Sequence, residues 1–255
     1  MDKLIDKIKE KNNPTVVGLD PKLSYIPDFI KQTSLAKFQN AFEAAANAIF
    51  SFNKSIIDAI YDIVPAIKPQ SAYYEVYGHF GVWALQKTIA YAKSKGMYVI
   101  TDGKRNDIGT TMKAYSTAYL GESKLFDDEK CAAFSSDALT VNGYLGTDGI
   151  SPLVEDCINF DRSIFVLVKT SNPSSGELQD KTLSSGETIY EAMGNMCEKW
   201  GQDNIGKYGY SRVGAVVGAT YPEQLKELRQ KLSHTFFLVP GFGAQGATAQ
   251  NIAGA

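Results

Sequence analysis

The sequence predicts an α/β fold, and within that class a (β/α)8 TIM barrel whose eighth strand is missing from this chain. Short apolar runs alternate with helical stretches, which indicates strands buried on both faces of a parallel sheet. Polar residues follow almost every run, and barrels place their active sites at the carboxyl ends of their strands. We therefore expect one barrel domain over residues 1–255, incomplete at its C-terminus.

Seven strands are predicted in order along the chain. Each run is rich in Val, Ile or Phe and ends in a polar residue or in Gly or Pro, as short buried strands do. A closed barrel of this type needs eight strands, so the chain is expected to stop one strand short. The predicted strands span residues 15–20, 63–68, 97–102, 138–143, 163–171, 213–220 and 235–241.

Helices are predicted between these runs. Residues 34–63 carry one apolar stripe at spacings of three, four and seven, which predicts an amphipathic helix. Pro222 stands just inside the start of another predicted helix, which carries Leu225, Leu228 and Leu232. A doubly wound sheet is the alternative architecture, but it would collect functional residues at a single switch point. Their spread over nearly every strand end favours the barrel.

Composition excludes several classes of protein. The formal net charge of −2 offers no electrostatic footprint for nucleic acid. No apolar run approaches a membrane span, and the N-terminal segment lacks the apolar core of a signal peptide. Three scattered cysteines suit a reducing cytosol, and the two histidines form no zinc motif. We expect a cytoplasmic protein with no metal and no partner among nucleic acids or membranes.

The densest cluster of chemically able residues reads ITDGKRNDIGTT, from Ile100 to Thr111. Because strand side chains alternate, Asp102 and Lys104 point to the same side if the strand persists that far. Asp107 follows three residues later, in a loop or a first helical turn. Three isolated charges would indicate a solvated loop, whereas an acid–base–acid set leaving a buried strand favours a catalytic site.

The stretch DGKRNDIGTT resembles the D-x-K-x-x-D-I signature of orotidine 5′-monophosphate decarboxylases. Its K-R-x-D-I-G-x-T form is similar to one bacterial branch of that family. Further segments resemble the family in order and position, from about Thr15 to the C-terminus. These segments are GLDP at 18–21, AIKP at 66–69, KTSNP at 169–173 and PGFGAQG at 240–246.

The resemblance implies a cofactor-free conversion of orotidine 5′-monophosphate to uridine 5′-monophosphate (UMP) and CO₂. Loss of CO₂ leaves a carbanion at C6 that no ring orbital conveniently delocalises, so fixed charge must stabilise it. Lys104 would donate the proton to C6 as general acid. Asp102 would lie against the substrate carboxylate, while Lys68 and Asp20 would orient the charged network and contact the ribose.

Four further roles follow from the same resemblance. Asp107 would reach across the interface of a homodimer into the partner's active site, and Thr111 would lie beside it. Ser171 would contact the edge of the pyrimidine, and Pro240 would lie near the ring.

The glycine-rich segment at 241–246 formally fits the dinucleotide motif GxGxxG, but no βαβ unit follows it. A phosphate-binding loop containing Gln245 and Gly246 is favoured, because barrels often hold phosphate after the seventh strand. An ordinary strand-to-helix turn is the alternative. The resemblance implies that Gln245 contacts the phosphate and that an arginine of the eighth strand also binds it. Weakened phosphate recognition is therefore expected for this chain.

Two other functions stay open at this point. A Mg²⁺-dependent sugar-phosphate decarboxylase or aldolase of the same superfamily resembles this chain in its D-x-K-x-x-D strand. An inactive nucleotide-binding paralogue is the second alternative. The complete charged set argues against it, whereas the missing eighth strand argues for it.

Overall fold

The computed structural model describes residues 1–241 and 248–252. Within these residues, all seven predicted strands form one sheet in the order β1-β2-β3-β6-β7-β8-β9. The pairings of β1 with β2, β2 with β3, β7 with β8 and β8 with β9 are parallel. The strands of this sheet are β1 (Val16–Leu19), β2 (Ala66–Pro69), β3 (Tyr98–Arg105), β6 (Ala138–Val141), β7 (Ser163–Lys169), β8 (Val213–Val217) and β9 (Phe237–Leu238).

Helices alternate with the strands, as an α/β barrel requires, so the predicted fold class is confirmed. Strands β4 (Ser123–Lys124) and β5 (Lys130–Cys131) form a separate antiparallel pair that the apolar pattern did not predict. The helices are α1 (Asp2–Lys11), α2 (Asp28–Lys37), α3 (Ala41–Ile60), α4 (Ala72–Glu75), α5 (Gly78–Ser94), α6 (Gly109–Tyr119), α7 (Thr147–Asn159), α8 (Ile189–Gly201), α9 (Pro222–Lys231) and α10 (Ala249–Ile252). No helix in the described part of the chain is both long and apolar enough to span a bilayer.

The prediction of one helical stripe over residues 34–63 is wrong in its boundaries. Helix α2 ends at Lys37, and α3 begins at Ala41. Asn40 separates them, because its side-chain oxygen accepts hydrogen bonds from the amides of Phe42 at 2.9 Å and Glu43 at 3.2 Å. Such a cap satisfies amides that have no partner inside the helix. Leu35 and Phe42, two stripe residues, are 64% and 57% exposed.

The chain divides into two compact units. The first comprises Lys3–Gly103 and Thr117–Leu139, and the second comprises Met1–Asp2, Lys104–Ser116 and Thr140–Ala255. In the first unit, helices α3 and α5 pack closely and share a core with β2 and β3. Asn53 is buried there and donates from its amide to the Tyr74 hydroxyl at 2.8 Å and to Thr88 at 3.1 Å. A polar group inside this apolar core is therefore paired, as buried groups need to be.

The second unit is built on β7 and β8, whose residues are largely buried. Helix α8 packs beside them and begins with a capping box, in which Thr188 and Glu191 satisfy each other's amides. The Glu191 carboxylate also accepts a hydrogen bond from Lys231 of α9 at 2.5 Å. The ion pair with Lys231, together with the Thr188 amide, lowers the pKa of Glu191 to about 2.

We expect this carboxylate to make the stability of the fold depend on pH. Because the pKa of Glu191 falls from 4.5 to about 2 on folding, its contribution is present above pH 4.5 and is lost as the pH falls toward 2. Glu191→Gln keeps the side-chain shape and a hydrogen-bonding oxygen but removes the charge. Urea unfolding should show the variant less stable than the wild type at pH 7, with the difference shrinking between pH 4.5 and 2. A difference that does not change with pH would contradict this assignment.

Candidate functional site

In the first unit, the neighbouring strands β2 and β3 bring two of the predicted residues into contact. The Lys68 ammonium lies 2.8 Å from the Asp102 carboxylate, and their side chains are 19% and 10% exposed. Exposed Asp20 directly follows β1, whose Gly18 is in register with Lys68. Removing such a pair from water costs free energy that the attraction often fails to repay. A role in binding or catalysis therefore accounts for the pair better than stability does.

The backbone around Asp102 is held by residues that follow β2. The amide of Gln70 donates to the Leu19 carbonyl at 3.2 Å, which extends the pairing of β1 with β2. The amide and hydroxyl of buried Ser71 both donate to the Asp102 carbonyl, at 3.2 and 3.3 Å. Asp102 is thus fixed at both its main chain and its carboxylate. Sequence reasoning gave Ser71 no role, because a serine after a strand has no distinctive spacing.

In the second unit, the backbone at Lys104 departs from regular strand geometry. Lys104 has a φ of 47°, in the left-handed region, although β3 continues to Arg105. Its amide donates to Thr140 Oγ1 at 3.1 Å, and the Arg105 carbonyl accepts from the Asn142 amide at 3.0 Å. Side chains alternate only along an extended backbone. The strand thus persists past Lys104, as the expectation required, but the backbone at Lys104 is not extended, so alternation alone does not put the side chains of Asp102 and Lys104 on the same side.

Asp107 lies at the junction before α6. Its carboxylate accepts a hydrogen bond from the amide of Ile108 at 2.8 Å. Its carbonyl lies close to α7, because a β-carbon added to Gly149 would be 2.9 Å from that oxygen. Asp107 is half-buried, whereas Ile108 and Thr111 on the first turn are exposed. The structure thus holds Asp107 in a defined place beside an apolar residue that faces outward.

The turn after β7 places Ser171 against the end of β8. The Thr220 hydroxyl donates to the Ser171 carbonyl at 3.1 Å. A β-carbon on Gly218 would come within 2.8 Å of Ser171 Cα, so only glycine permits this approach. The Pro240 carbonyl, after β9, accepts a hydrogen bond from Ala219 at 2.9 Å. Gln245 and Gly246, predicted in the phosphate loop, lie outside the described residues.

Lys169 is a buried charged residue to which sequence reasoning assigned no role. Its ammonium lies 2.6 Å from the Asp180 carboxylate and 3.1 Å from the Ser175 hydroxyl. It also lies over the ring of Tyr221, 4.2 Å from the centroid. The sequence did carry one signal, a lysine inside an otherwise apolar predicted strand. Because lysine is almost never fully buried without a partner, that position indicates a buried charge that is paired.

The lysine and aspartate side chains described above suit proton transfer and charge stabilisation. An ammonium held where negative charge develops can stabilise that charge, and a lysine can deliver a proton to it. Among residues 1–241 and 248–252, no group of three or more His, Cys, Asp or Glu side chains is arranged to hold a metal ion.

Comparison with known proteins adds the family relationship. The profile of the orotidine 5′-phosphate decarboxylase / HUMPS family matches residues 16–255. An orotidine 5′-phosphate decarboxylase from Caldicellulosiruptor bescii is 44% identical over 98% of this chain and 82% of its own length. The enzyme of that name from Rhodopirellula baltica is 45% identical over 93% of this chain and 76% of its own length.

Solved structures agree with this relationship. A crystal structure from Toxoplasma gondii, assigned as an orotidine-monophosphate decarboxylase, superimposes with a TM-score of 0.79 at 30% identity. The match covers 99% of this chain and 82% of that one.

Proposed function

Because the chain belongs to the orotidine 5′-phosphate decarboxylase / HUMPS family, we propose that it converts orotidine 5′-monophosphate to UMP and CO₂. This carboxy-lyase reaction makes a pyrimidine nucleotide. At the site, the proposal rests on one observation, the 2.8 Å ion pair of Lys68 and Asp102 on the neighbouring strands β2 and β3. Its two residues fall within segments that resemble the family's motifs.

The proposed reaction breaks the bond between C6 and the carboxylate and leaves the electron pair on C6. Lys104 gives a proton to that carbon and regains one from solvent, so CO₂ and UMP are the only products. Fixed positive charge from the lysines offsets the developing negative charge. Asp102 lies against the substrate carboxylate, while Lys68 and Asp20 orient the charged groups and contact the ribose. No cofactor takes part.

We further propose a homodimer in which Asp107 enters the partner's active site, with Thr111 beside it. Support comes from the position of Asp107 between a buried strand and a helix, with exposed Ile108 and Tyr115 on the same stretch. Large apolar side chains that face outward together often mark interaction surfaces.

The remaining roles concern recognition of the nucleotide. Ser171 contacts the edge of the pyrimidine, Pro240 lies near the ring, and Gln245 with Gly246 binds the phosphate. The hydrogen bond from Thr220 and the close approach of Gly218 support the role of Ser171, because they give its backbone a fixed position. We expect the reaction to take place in the cytoplasm, where the three free cysteines would stay reduced.

The Mg²⁺-dependent sugar-phosphate enzyme and the inactive paralogue are not supported, because the similar proteins named above are orotidine 5′-phosphate decarboxylases. The decisive measurement is the loss of absorbance of orotidine 5′-monophosphate with purified protein, in the presence and absence of EDTA. We expect equal rates in both conditions. Loss of activity in EDTA would favour the metal-dependent reaction, and nucleotide binding without turnover would favour the paralogue.

A further inference from the structure

Lys169 ends β7 with a side chain that is 0% exposed, and its charge is met within the loop that follows. Asp180, the carboxylate 2.6 Å away, is itself 44% exposed. A buried ion pair is weak support for a fold, since apolar residues of similar volume often serve as well or better. Lys169 therefore calls for an explanation other than stability, and its neighbours supply one.

Tyr221 connects the buried ammonium to the main chain beside Ser171. Its ring lies under the ammonium at 4.2 Å, a cation–π contact that is strengthened by burial. Its hydroxyl donates to the Asn172 carbonyl at 3.2 Å and accepts a hydrogen bond from Ser175 at the same distance. Ser175 in turn accepts from Lys169. The result is a closed ring of contacts that returns to the residue after Ser171.

The residue before Ser171 is held as firmly. The Thr170 amide donates to Gln179 Oε1 at 2.9 Å, and Gln179 Nε2 donates back to the Thr170 hydroxyl at 2.7 Å. On the other side, Thr220 and Gly218 of the β8 end contact Ser171 itself. The main chain from Thr170 to Asn172 is thus fixed from three directions, and Lys169 stands at the base of the arrangement.

We propose that Lys169 and Tyr221 are positioning residues, which fix the main chain of Ser171 and thereby determine how tightly the enzyme recognises the pyrimidine. This inference rests on the proposed function, in which Ser171 contacts the pyrimidine edge. Neither residue touches the substrate. Both act through the hydrogen bond from Tyr221 to Asn172. Their effect on binding is therefore confined to the pyrimidine, the part of the ligand that Ser171 contacts.

The test compares UMP with ribose 5-phosphate, which shares the sugar and phosphate but lacks the pyrimidine. Tyr221→Phe keeps the ring over Lys169 and removes the hydroxyl. We expect titration calorimetry to show UMP binding weakened about tenfold, within the range expected for loss of the hydrogen bond that holds Asn172. Ribose 5-phosphate binding should stay unchanged. A general loss of structure would weaken the binding of both ligands to the same extent.

Tyr190→Phe is the matched control. The Tyr190 ring also faces Lys169, at 5.7 Å, but its hydroxyl donates to Glu227 at 3.2 Å, away from Ser171. This variant should bind both ligands as the wild type does. Gly218→Ala approaches the same point from β8, because its β-carbon would press on Ser171 Cα. It should repeat the selective loss of UMP binding.

The outcomes separate this inference from the function beneath it. If the wild-type protein binds UMP no better than ribose 5-phosphate, the proposed recognition of the pyrimidine is wrong, and so is the proposed function. If the wild type prefers UMP and folded Tyr221→Phe keeps that preference in full, only the positioning role is wrong. Selective loss in Tyr221→Phe, with no change in Tyr190→Phe, would support the proposal.

Discussion

Replacing Lys104 with alanine is expected to lower the rate of decarboxylation by ~10²–10⁴-fold, the usual contribution of general acid–base catalysis. The loss should lie at the upper end, since in the proposed reaction the same ammonium would also stabilise charge at C6. The fold should survive, because Lys104 is exposed and its bond to Thr140 comes from the main chain. Alanine also keeps a β-carbon, so the backbone cost of the left-handed φ is nearly unchanged.

The measurement is kcat with saturating orotidine 5′-monophosphate, alongside thermal unfolding of each variant. Lys31→Ala is the control, since Lys31 forms a 2.7 Å ion pair with exposed Asp28 in α2, on a helix that contributes no predicted site residue. It should retain full activity. A folded Lys104→Ala variant with a tenth of the wild-type rate would remove Lys104 from the mechanism.

The second large effect concerns subunits that are inactive alone. Lys104→Ala and Asp107→Ala should each abolish activity, and mixing them should restore it. If Asp107 acts in the partner's site, each hybrid dimer has one site with both residues intact. Random exchange of equal amounts makes half of the dimers hybrid, so activity should reach about a quarter of the wild-type value in a twofold dimer.

Subunit exchange must be verified by native mass spectrometry before activity is measured. The matched control mixes Lys104→Ala with the double variant Lys104→Ala/Asp107→Ala, whose hybrids contain no complete site. That mixture should stay inactive. Hybrid dimers without recovered activity would show that Asp107 serves its own subunit.

The positions of the strands could be predicted because each is a short apolar run with a polar end. The separation of α2 from α3 was visible in principle, since Asn40 is a common helix cap, but the apolar stripe runs past it. An apolar stripe reports the spacing of residues and not their burial. Leu35 and Phe42 have the right spacing, so they lengthened the predicted helix although both are exposed in the structure. The β4–β5 hairpin has two-residue strands, too short for any alternation to be detected.

Some residues of the candidate site could likewise be predicted from the sequence, and others could not. Asp102, Lys104 and Asp107 stand together in the chain, so their pattern could be identified locally. Lys169 and Tyr221 are 52 residues apart in the sequence, and no local pattern links them. Their relationship depends on the packing of β7 beside β8, which only the folded chain supplies.

The left-handed backbone at Lys104 implies a conflict between stability and activity. Residues other than glycine meet a cost of about 1–2 kcal/mol in this conformation, because the β-carbon approaches the carbonyl oxygen. Glycine would relieve that cost, yet it would remove the proposed proton donor. Selection for stability alone would therefore replace a side chain that the proposed reaction requires. Engineering this protein for heat resistance should exempt position 104 from any rule that favours glycine at positive φ.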